Sequence, residues 1–147
     1  MRSFTATEPL FIDTWGWLVL ANDRDPAYAR VVELRRQYAA RRAGWVTTDY
    51  VLDEAITRLF AAAPFARAEK FCDAIFEARR SSLLSVERIT AERFESAWKL
   101  RVRYKNKPRI SFTDLTSIAV MRELGLRQIL TGDTHFDQVR RGFQKVP

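Results

Sequence analysis

Short apolar runs that alternate with helix-type patterns constrain the fold of this chain more than any other feature. Five such runs have strand character, and the last of them is predicted to be an edge strand: residues 10–12, 45–47, 83–89, 127–131 and 143–146. Strands without polar alternation are buried on both faces, and parallel neighbours need helical crossovers between them. This order therefore predicts an α/β fold of three layers, with a parallel sheet of four or five strands and helices on both faces.

The segments between these runs carry helical periodicity or helix-capping residues. The predicted helices span residues 15–21, 27–42, 50–62, 64–80, 91–104 and 114–124. Thr48 or Asp49 is expected to cap the third helix, Thr90 the fifth, and Ser111 or Thr113 the last. Because the chain shows no internal repeat, linker or break in composition, we expect a single domain over residues 1–147.

Cysteine content and apolar run length exclude several classes of protein. The single cysteine, Cys72, rules out an intrachain disulfide and a cysteine-based zinc cluster. Glu8 and Asp13 interrupt the N-terminal segment where a signal peptide needs an apolar core. The apolar stretch at 15–21 is far shorter than the roughly 20 residues that span a bilayer. We therefore expect a cytoplasmic protein without a membrane segment.

The charge balance favours a polyanionic partner. The 147 residues include 25 Lys and Arg against 18 Asp and Glu, a net charge of +7, and the pI is about 10.1. Six cations fall within one stretch that contains no acid: Lys99, Arg101, Arg103, Lys105, Lys107 and Arg109. We predict that this stretch binds the phosphates of a nucleic acid, although a solvated helix face would have the same composition.

Four acidic residues are placed where ligands bind in parallel sheets, outside the carboxyl ends of the strands. Asp13 closes the first run and Asp133 follows the fourth, while Asp114 and Glu54 lie near helix starts expected at the same edge. Each alone has an ordinary alternative as a helix cap or a solvated acid, and Asp53 competes with Glu54 for any role. Together they would repel one another without a cation. Carboxylates without His or Cys favour Mg²⁺ or Mn²⁺, ions that serve phosphodiester chemistry.

At these residues the sequence resembles the PIN domain family and, within it, the VapC-type toxins of toxin–antitoxin pairs. Four blocks carry the resemblance in order: FIDT at 11–14, TTDYVLDEAITRL at 47–59, SFTDLTSIAVMRELG at 111–125 and ILTGDTHFDQV at 129–139. The resemblance implies that the catalytic metal ligands are Asp13, Glu54 rather than Asp53, Asp114 and Asp133. It further implies supporting polar roles for Thr14 and for Thr113 or Ser117.

The same resemblance implies an Mg²⁺- or Mn²⁺-dependent endoribonuclease that acts as a toxin, forms a homodimer and is inhibited by a small antitoxin. Trp17, Leu20 and Phe60 are candidates for partner surfaces, although we expect most of them to be core. The chain departs from the family pattern at Trp15-Gly16-Trp17, after the first acid. His135 is expected to pack or to face solvent, and Asp137 has no assigned role.

Two alternatives stay open at this point: a catalytically silent RNA-binding PIN module, and an RNA-processing nuclease that is not a toxin. A phosphatase of the haloacid dehalogenase type is disfavoured, because its second aspartate would stand where this chain has Trp15.

Overall fold

The computed structural model describes residues 8–132 and 142–147. The strands in this part of the chain are β1 (Leu10–Ile12), β2 (Trp45–Thr48), β3 (Leu84–Glu87), β4 (Gln128–Leu130) and β5 (Gln144–Val146). The helices are α1 (Thr14–Leu20), α2 (Tyr28–Ala40), α3 (Asp49–Ala62), α4 (Phe65–Arg80), α5 (Ala91–Arg103) and α6 (Phe112–Leu124).

The strands form one sheet in the order β3-β2-β1-β4-β5, and all four neighbouring pairs are parallel. The central strand β1 pairs with β2 on one side and with β4 on the other, and its three residues are completely buried. A short apolar strand flanked on both sides needs no polar face, which is why the run at 10–12 is apolar throughout. The predicted α/β fold with a parallel sheet is confirmed, with five strands rather than four.

Local hydrogen bonds decide where several elements begin and end. The hydroxyl of Thr48, rather than Asp49, caps α3 by accepting from the N–H of Val51 at 3.1 Å. Asp49 instead accepts from the N–H of Ile89 at 3.0 Å, and β3 spans Leu84–Glu87, which is shorter than the predicted 83–89. Ser111, rather than Thr113, caps α6, so this helix begins two residues before the predicted start at Asp114.

Helix α6 lies in the core, because all of its residues from 114 to 121 are buried. Gly125 ends the helix in a left-handed conformation with φ of 69°, which suits glycine because it has no Cβ. Only residues 125–127 separate α6 from β4, so the helix runs opposite to the strands and starts at their carboxyl edge. None of the described helices, α6 included, is long and apolar enough to cross a membrane.

Candidate active site at the carboxyl edge of the sheet

Asp13 and Thr131 lie side by side where the adjacent strands β1 and β4 end. The Thr131 hydroxyl donates to Oδ2 of Asp13 at 2.8 Å, and both residues are buried, Asp13 being only 3% exposed. Asp13 occupies the N-cap position of α1, yet its side chain makes no capping hydrogen bond. A buried carboxylate is costly unless it is hydrogen-bonded. The capping alternative therefore does not account for Asp13.

Asp114 reaches the same edge from α6. It lies in the first turn of that helix and is 7% exposed. Its own N–H donates to the Ser111 hydroxyl at 3.0 Å, so Ser111 is the N-cap of this helix. The positive end of the helix dipole favours a carboxylate at this position.

Glu54 and Asp53 lie on α3 and differ in exposure. Glu54 is half-buried, whereas Asp53 faces solvent, which favours Glu54 as the functional acid of the two. Glu54 accepts a long hydrogen bond of 3.4 Å from Arg58, one turn further along the helix. Within residues 8–132 and 142–147, no three side chains among Asp, Glu, His and Cys form a group that could hold a metal ion. In the described residues, Glu54 therefore does not join Asp13 and Asp114 in such a group.

The fourth predicted acid, Asp133, lies outside the described residues, as do His135 and Asp137. The residue before it, Gly132, packs against the indole of Trp15. A Cβ at position 132 would lie 2.4 Å from two atoms of that ring, so this packing requires glycine. Trp15, where the chain departs from the family pattern, thus packs against the end of the β4 segment.

The hydroxyl groups near the two acids have different surroundings. Thr14 Oγ1 is buried and has no hydrogen-bond partner among the described residues. The Ser117 hydroxyl donates to the carbonyl of Thr113 at 3.1 Å, and Thr116 donates to the same carbonyl. The Ser117 hydroxyl is therefore engaged within α6, and the supporting roles of Thr113 and Ser117 stay predictions.

Sequence reasoning missed two buried threonines at this edge. Thr131 contacts Asp13 as described above. Thr47 donates from its hydroxyl to the carbonyl of Ile12 at 2.9 Å and accepts from the indole N–H of Trp17 at 3.2 Å. The available signal was a threonine in the last positions of a strand, the same place that identified the acids.

The oxygens at this edge suit a hard divalent cation. The Asp13 and Asp114 carboxylates and the Thr14 hydroxyl are the kinds of oxygen ligand that Mg²⁺ and Mn²⁺ prefer. A buried hydroxyl without a partner carries a free-energy cost that a bound ion or an ordered water removes. The residues present at this edge therefore fit such an ion.

The cationic stretch includes the end of α5 and the α5–α6 loop, which we define as residues 104–110. Lys99, Arg103, Lys105 and Arg109 are exposed, and Lys107 is half-buried. Arg103 and Lys107 each place their charge 5.8 Å from the centre of the Tyr104 ring. This loop leads directly to Ser111 and the first turn of α6, and so toward Asp114.

Arg101 departs from the predicted phosphate-binding set. Its guanidinium donates to the backbone carbonyls of Tyr104, Lys107 and Ile110, each at 2.7 Å. These bonds engage the side chain within the fold, so we do not retain Arg101 among the groups that contact phosphate directly.

Comparison with known proteins places the chain among characterised relatives. The family model described as PIN domain matches residues 10–142. The 23S rRNA-specific endonuclease VapC20 of Mycobacterium tuberculosis is 34% identical over 137 residues, which covers 93% of this chain and 97% of that protein. A crystal structure of VapC20, described as a sarcin–ricin loop-cleaving toxin, has a TM-score of 0.76 at 30% identity and covers 93% of this chain and 98% of its own.

Two more distant solved structures share the fold. VapBC2 from Rickettsia felis, bound to a DNA fragment from its promoter, has a TM-score of 0.68 at 15% identity, covering 93% of this chain and 96% of that chain. DNA-bound VapBC from Salmonella typhimurium has a TM-score of 0.67 at 11% identity, covering 95% and 98%.

Proposed function

Because the chain belongs to the PIN domain family, we propose that it is an endoribonuclease that hydrolyses RNA phosphodiester bonds with Mg²⁺ or Mn²⁺ and acts as the toxin of a toxin–antitoxin pair. The observation that carries the proposal is the buried Asp13 carboxylate. It lies at the carboxyl edge of the central strand, is hydrogen-bonded by Thr131 and has no capping role. A buried carboxylate that accepts a hydrogen bond but caps no helix is more typical of a catalytic group than of a structural one.

In this proposal Asp13 and Asp114 would hold the cation and orient the attacking water, with Glu54 and Asp133 as the further acids. Thr131 fixes the orientation of the Asp13 carboxylate through its hydroxyl. When bound, Mg²⁺ or Mn²⁺ would supply the positive charge that stabilises the phosphodiester transition state and makes water a better nucleophile. Lys105, Lys107 and Arg109 would bind the RNA backbone beside the start of α6.

Cleavage assays with the purified protein test this proposal. The substrates are total cellular RNA and an oligonucleotide with the sarcin–ricin loop sequence, chosen because the 34% identical relative is a 23S rRNA endonuclease. We expect discrete fragments with Mg²⁺ or Mn²⁺ and none with a chelator. Asp114→Asn should lower cleavage by roughly 100-fold or more with an unchanged circular dichroism spectrum, because it removes a group that acts in the transition state.

Glu54→Gln and Asp53→Asn form a matched pair for this assay, since the two acids are adjacent on α3. We expect Glu54→Gln to lower cleavage and Asp53→Asn to leave it unchanged, because only Glu54 is partly buried. An Asp114→Asn protein that cleaves at the wild-type rate would contradict the proposed centre. RNA binding without cleavage would instead favour a silent RNA-binding module.

An apolar groove supports an antitoxin as the partner. It has a volume of about 520 Å³ and lies between α2, α4 and the starts of β2 and β3. Its lining is mainly apolar, with Arg35 and Arg36 also contributing: Trp17, Leu20, Trp45, Phe71, Ile75 and Leu84 form much of the surface. Trp17 and Leu20 thus belong both to the packed interior and to this surface.

We assign the groove to an amphipathic helix of the antitoxin that carries acidic residues beside its apolar face. The apolar lining matches the helix-in-groove mode of recognition, and Arg35 matches an acid of the partner, whereas Arg36 already pairs with Glu33 at 2.7 Å. Ala74→Arg would place a charged side chain in the groove, so this variant should no longer bind the antitoxin while still cleaving RNA. Unchanged binding by Ala74→Arg would place the antitoxin elsewhere.

An exposed apolar stripe on α5 supports the proposed homodimer. Phe94, Trp98 and Val102 recur at four-residue spacing on one face of the helix, and Trp98 is 56% exposed. Acids lie toward the start of this helix and cations toward its end, so two copies related by a two-fold axis would bring Glu95 near Lys99 of the other copy. We commit to a second copy as the occupant of this stripe.

Trp98→Glu tests the dimer, and Phe76→Glu, which alters an exposed phenylalanine on α4, is its control. We expect Trp98→Glu to be a monomer by light scattering and Phe76→Glu to match the wild type. If the wild type is itself a monomer at micromolar concentration, the stripe does not form a dimer interface.

A further inference from the structure

The α5–α6 loop is built from two consecutive turns. The N–H of Lys107 donates to the carbonyl of Tyr104 at 2.9 Å, and the N–H of Ile110 donates to the carbonyl of Lys107 at 3.3 Å. Each turn therefore contains four residues, 104–107 and 107–110, and the two turns share Lys107.

The side chain of Arg101 lies at the point where these carbonyls meet. Its Nη1 donates to Ile110, and its Nη2 donates to both Tyr104 and Lys107, with all three distances at 2.7 Å. A guanidinium is planar, permanently charged and able to donate in several fixed directions, whereas a lysine ammonium cannot reproduce this fork. Bonds from a charged donor are also stronger than neutral ones. One side chain thus joins both turns and the end of the loop.

The loop end that Arg101 holds is also the entry to α6. Ile110 is buried, and the next residue, Ser111, caps the helix that carries Asp114. On the outside of the same loop, Lys105 and Arg109 are exposed, and Lys107 lies over the Tyr104 ring. The conformation of a seven-residue segment therefore determines where three cations lie relative to the candidate centre.

We propose that Arg101 is a positioning residue for RNA binding, which holds the α5–α6 loop so that Lys105, Lys107 and Arg109 form a preformed phosphate-binding set beside the start of α6. Arg101 itself does not contact RNA. The proposal rests on the proposed function, because it names the part of this chain that binds the substrate backbone. The physical gain is preorganisation: the loop is ordered during folding, so RNA binding does not carry that entropy cost.

RNA affinity in the presence of a chelator tests the proposal without requiring cleavage. The probe is a short, fluorescently labelled single-stranded RNA, measured by anisotropy for wild type, Arg101→Lys and Arg101→Met. Arg79→Met, which alters an exposed arginine at the end of α4, is the charge-matched control. We expect both Arg101 variants to bind at least about 10-fold more weakly than wild type, and the control to be within about twofold.

Arg101→Lys separates positioning from direct contact. If Arg101 touched a phosphate, Arg101→Lys would retain most of the RNA affinity. Arg101→Met would then lower the affinity only about fourfold at 0.15 M salt, which is the effect of losing one contact. If Arg101 positions the loop, Arg101→Lys behaves like Arg101→Met. In both variants the slope of log affinity against log salt concentration then changes by more than the roughly 0.7 expected for the loss of a single contact. Near-wild-type binding by Arg101→Lys would overturn the proposal.

A double-mutant cycle gives a second, independent test. The combined variant Lys105→Ala/Lys107→Ala/Arg109→Ala should bind RNA roughly 50-fold more weakly at 0.15 M salt, since three phosphate contacts are removed. Adding Arg101→Met to it should have no further effect beyond about twofold, because the groups that Arg101 positions are already absent. An undiminished effect of Arg101→Met in this background would refute a positioning role.

Hydrogen exchange reports on the loop without any RNA. The amides of Lys107 and Ile110 should exchange faster in Arg101→Met, whereas amides in the core of α6, such as that of Ile118, should keep their protection. Unchanged exchange at Lys107 and Ile110 would contradict the structural half of the proposal. A protein that binds RNA through this loop but cleaves none would refute the proposed enzyme activity and leave this inference intact.

Discussion

Thr131→Val removes the hydrogen bond to Asp13 while leaving the shape of the side chain almost unchanged. The bond joins two buried side chains at 2.8 Å, and its acceptor is a carboxylate. A hydrogen bond to a charged group contributes about 1.5–3 kcal/mol, and the added methyl recovers about 0.8 kcal/mol through apolar burial. We therefore expect a net loss of about 1–2 kcal/mol in the free energy of unfolding.

Urea unfolding and cleavage kinetics measure the two consequences of this change. With an m-value of about 2 kcal/mol/M, the urea midpoint should fall by roughly 0.5–1 M. Because Thr131 orients Asp13, kcat should also fall by about 10-fold, equivalent to about 1.4 kcal/mol of transition-state stabilisation.

Thr116→Val is the matched control for this experiment. Thr116 is also fully buried, but its hydroxyl donates to the Thr113 carbonyl within α6, which also accepts from Ser117. We expect the control to leave kcat unchanged. Equal kcat values for Thr131→Val, Thr116→Val and wild type would refute the view that Thr131 orients a catalytic carboxylate.

Three further predictions follow from packing and charge. Gly132→Ala should lower the urea midpoint by an amount equivalent to about 1–3 kcal/mol, because its Cβ would meet the rigid Trp15 ring; an unchanged midpoint would show that the ring can move aside. The hydrogen bond from Arg93 lowers the pKa of Glu123 below its ordinary 4.5, so this pair stabilises the fold above that pH and the contribution disappears as pH falls through the lowered value. Stability measured from pH 7 to pH 3 should decline less in Arg93→Met than in wild type, and equal declines would contradict this. Burial raises the pKa of the Cys72 thiol, so thiol reagents should label the native protein slowly and the urea-unfolded protein rapidly; rapid native labelling would contradict the buried placement.

The sheet could be predicted from the sequence, and so could the placement of Asp13 and Asp114 at its carboxyl edge, because the spacing of apolar residues marks the strands and helices. Apolar runs mark buried parallel strands, and residues that follow such runs reach the carboxyl edge, as Asp13 does. The choice between Glu54 and Asp53 needed more than spacing, since both flank the apolar stripe of α3. Their difference in exposure, which depends on the helices that pack around α3, separates them.

The contacts of Arg101 show why some features of the site could not be predicted from the sequence. In the sequence it is one of six cations in a stretch without acids, with nothing to distinguish it from its neighbours. Its partners are backbone carbonyls, which every residue possesses, so no residue type signals the contact. The same limit applies to Thr131, whose role depends on which strand lies beside β1 rather than on the residues next to it in the chain.

The pairing of β1 with β4 determines when during synthesis the candidate centre can form. Residues 11 and 12 pair with residues 129 and 130, so the central strand lacks one neighbour until β4 has been synthesised and has left the ribosome. Contacts so distant in sequence raise the contact order and slow folding. At about 5–20 residues per second of translation, a ribosome spends several seconds on a nascent chain in which Asp13 has no Thr131 to orient it. The orientation of the Asp13 carboxylate therefore depends on a residue that is synthesised 118 positions later.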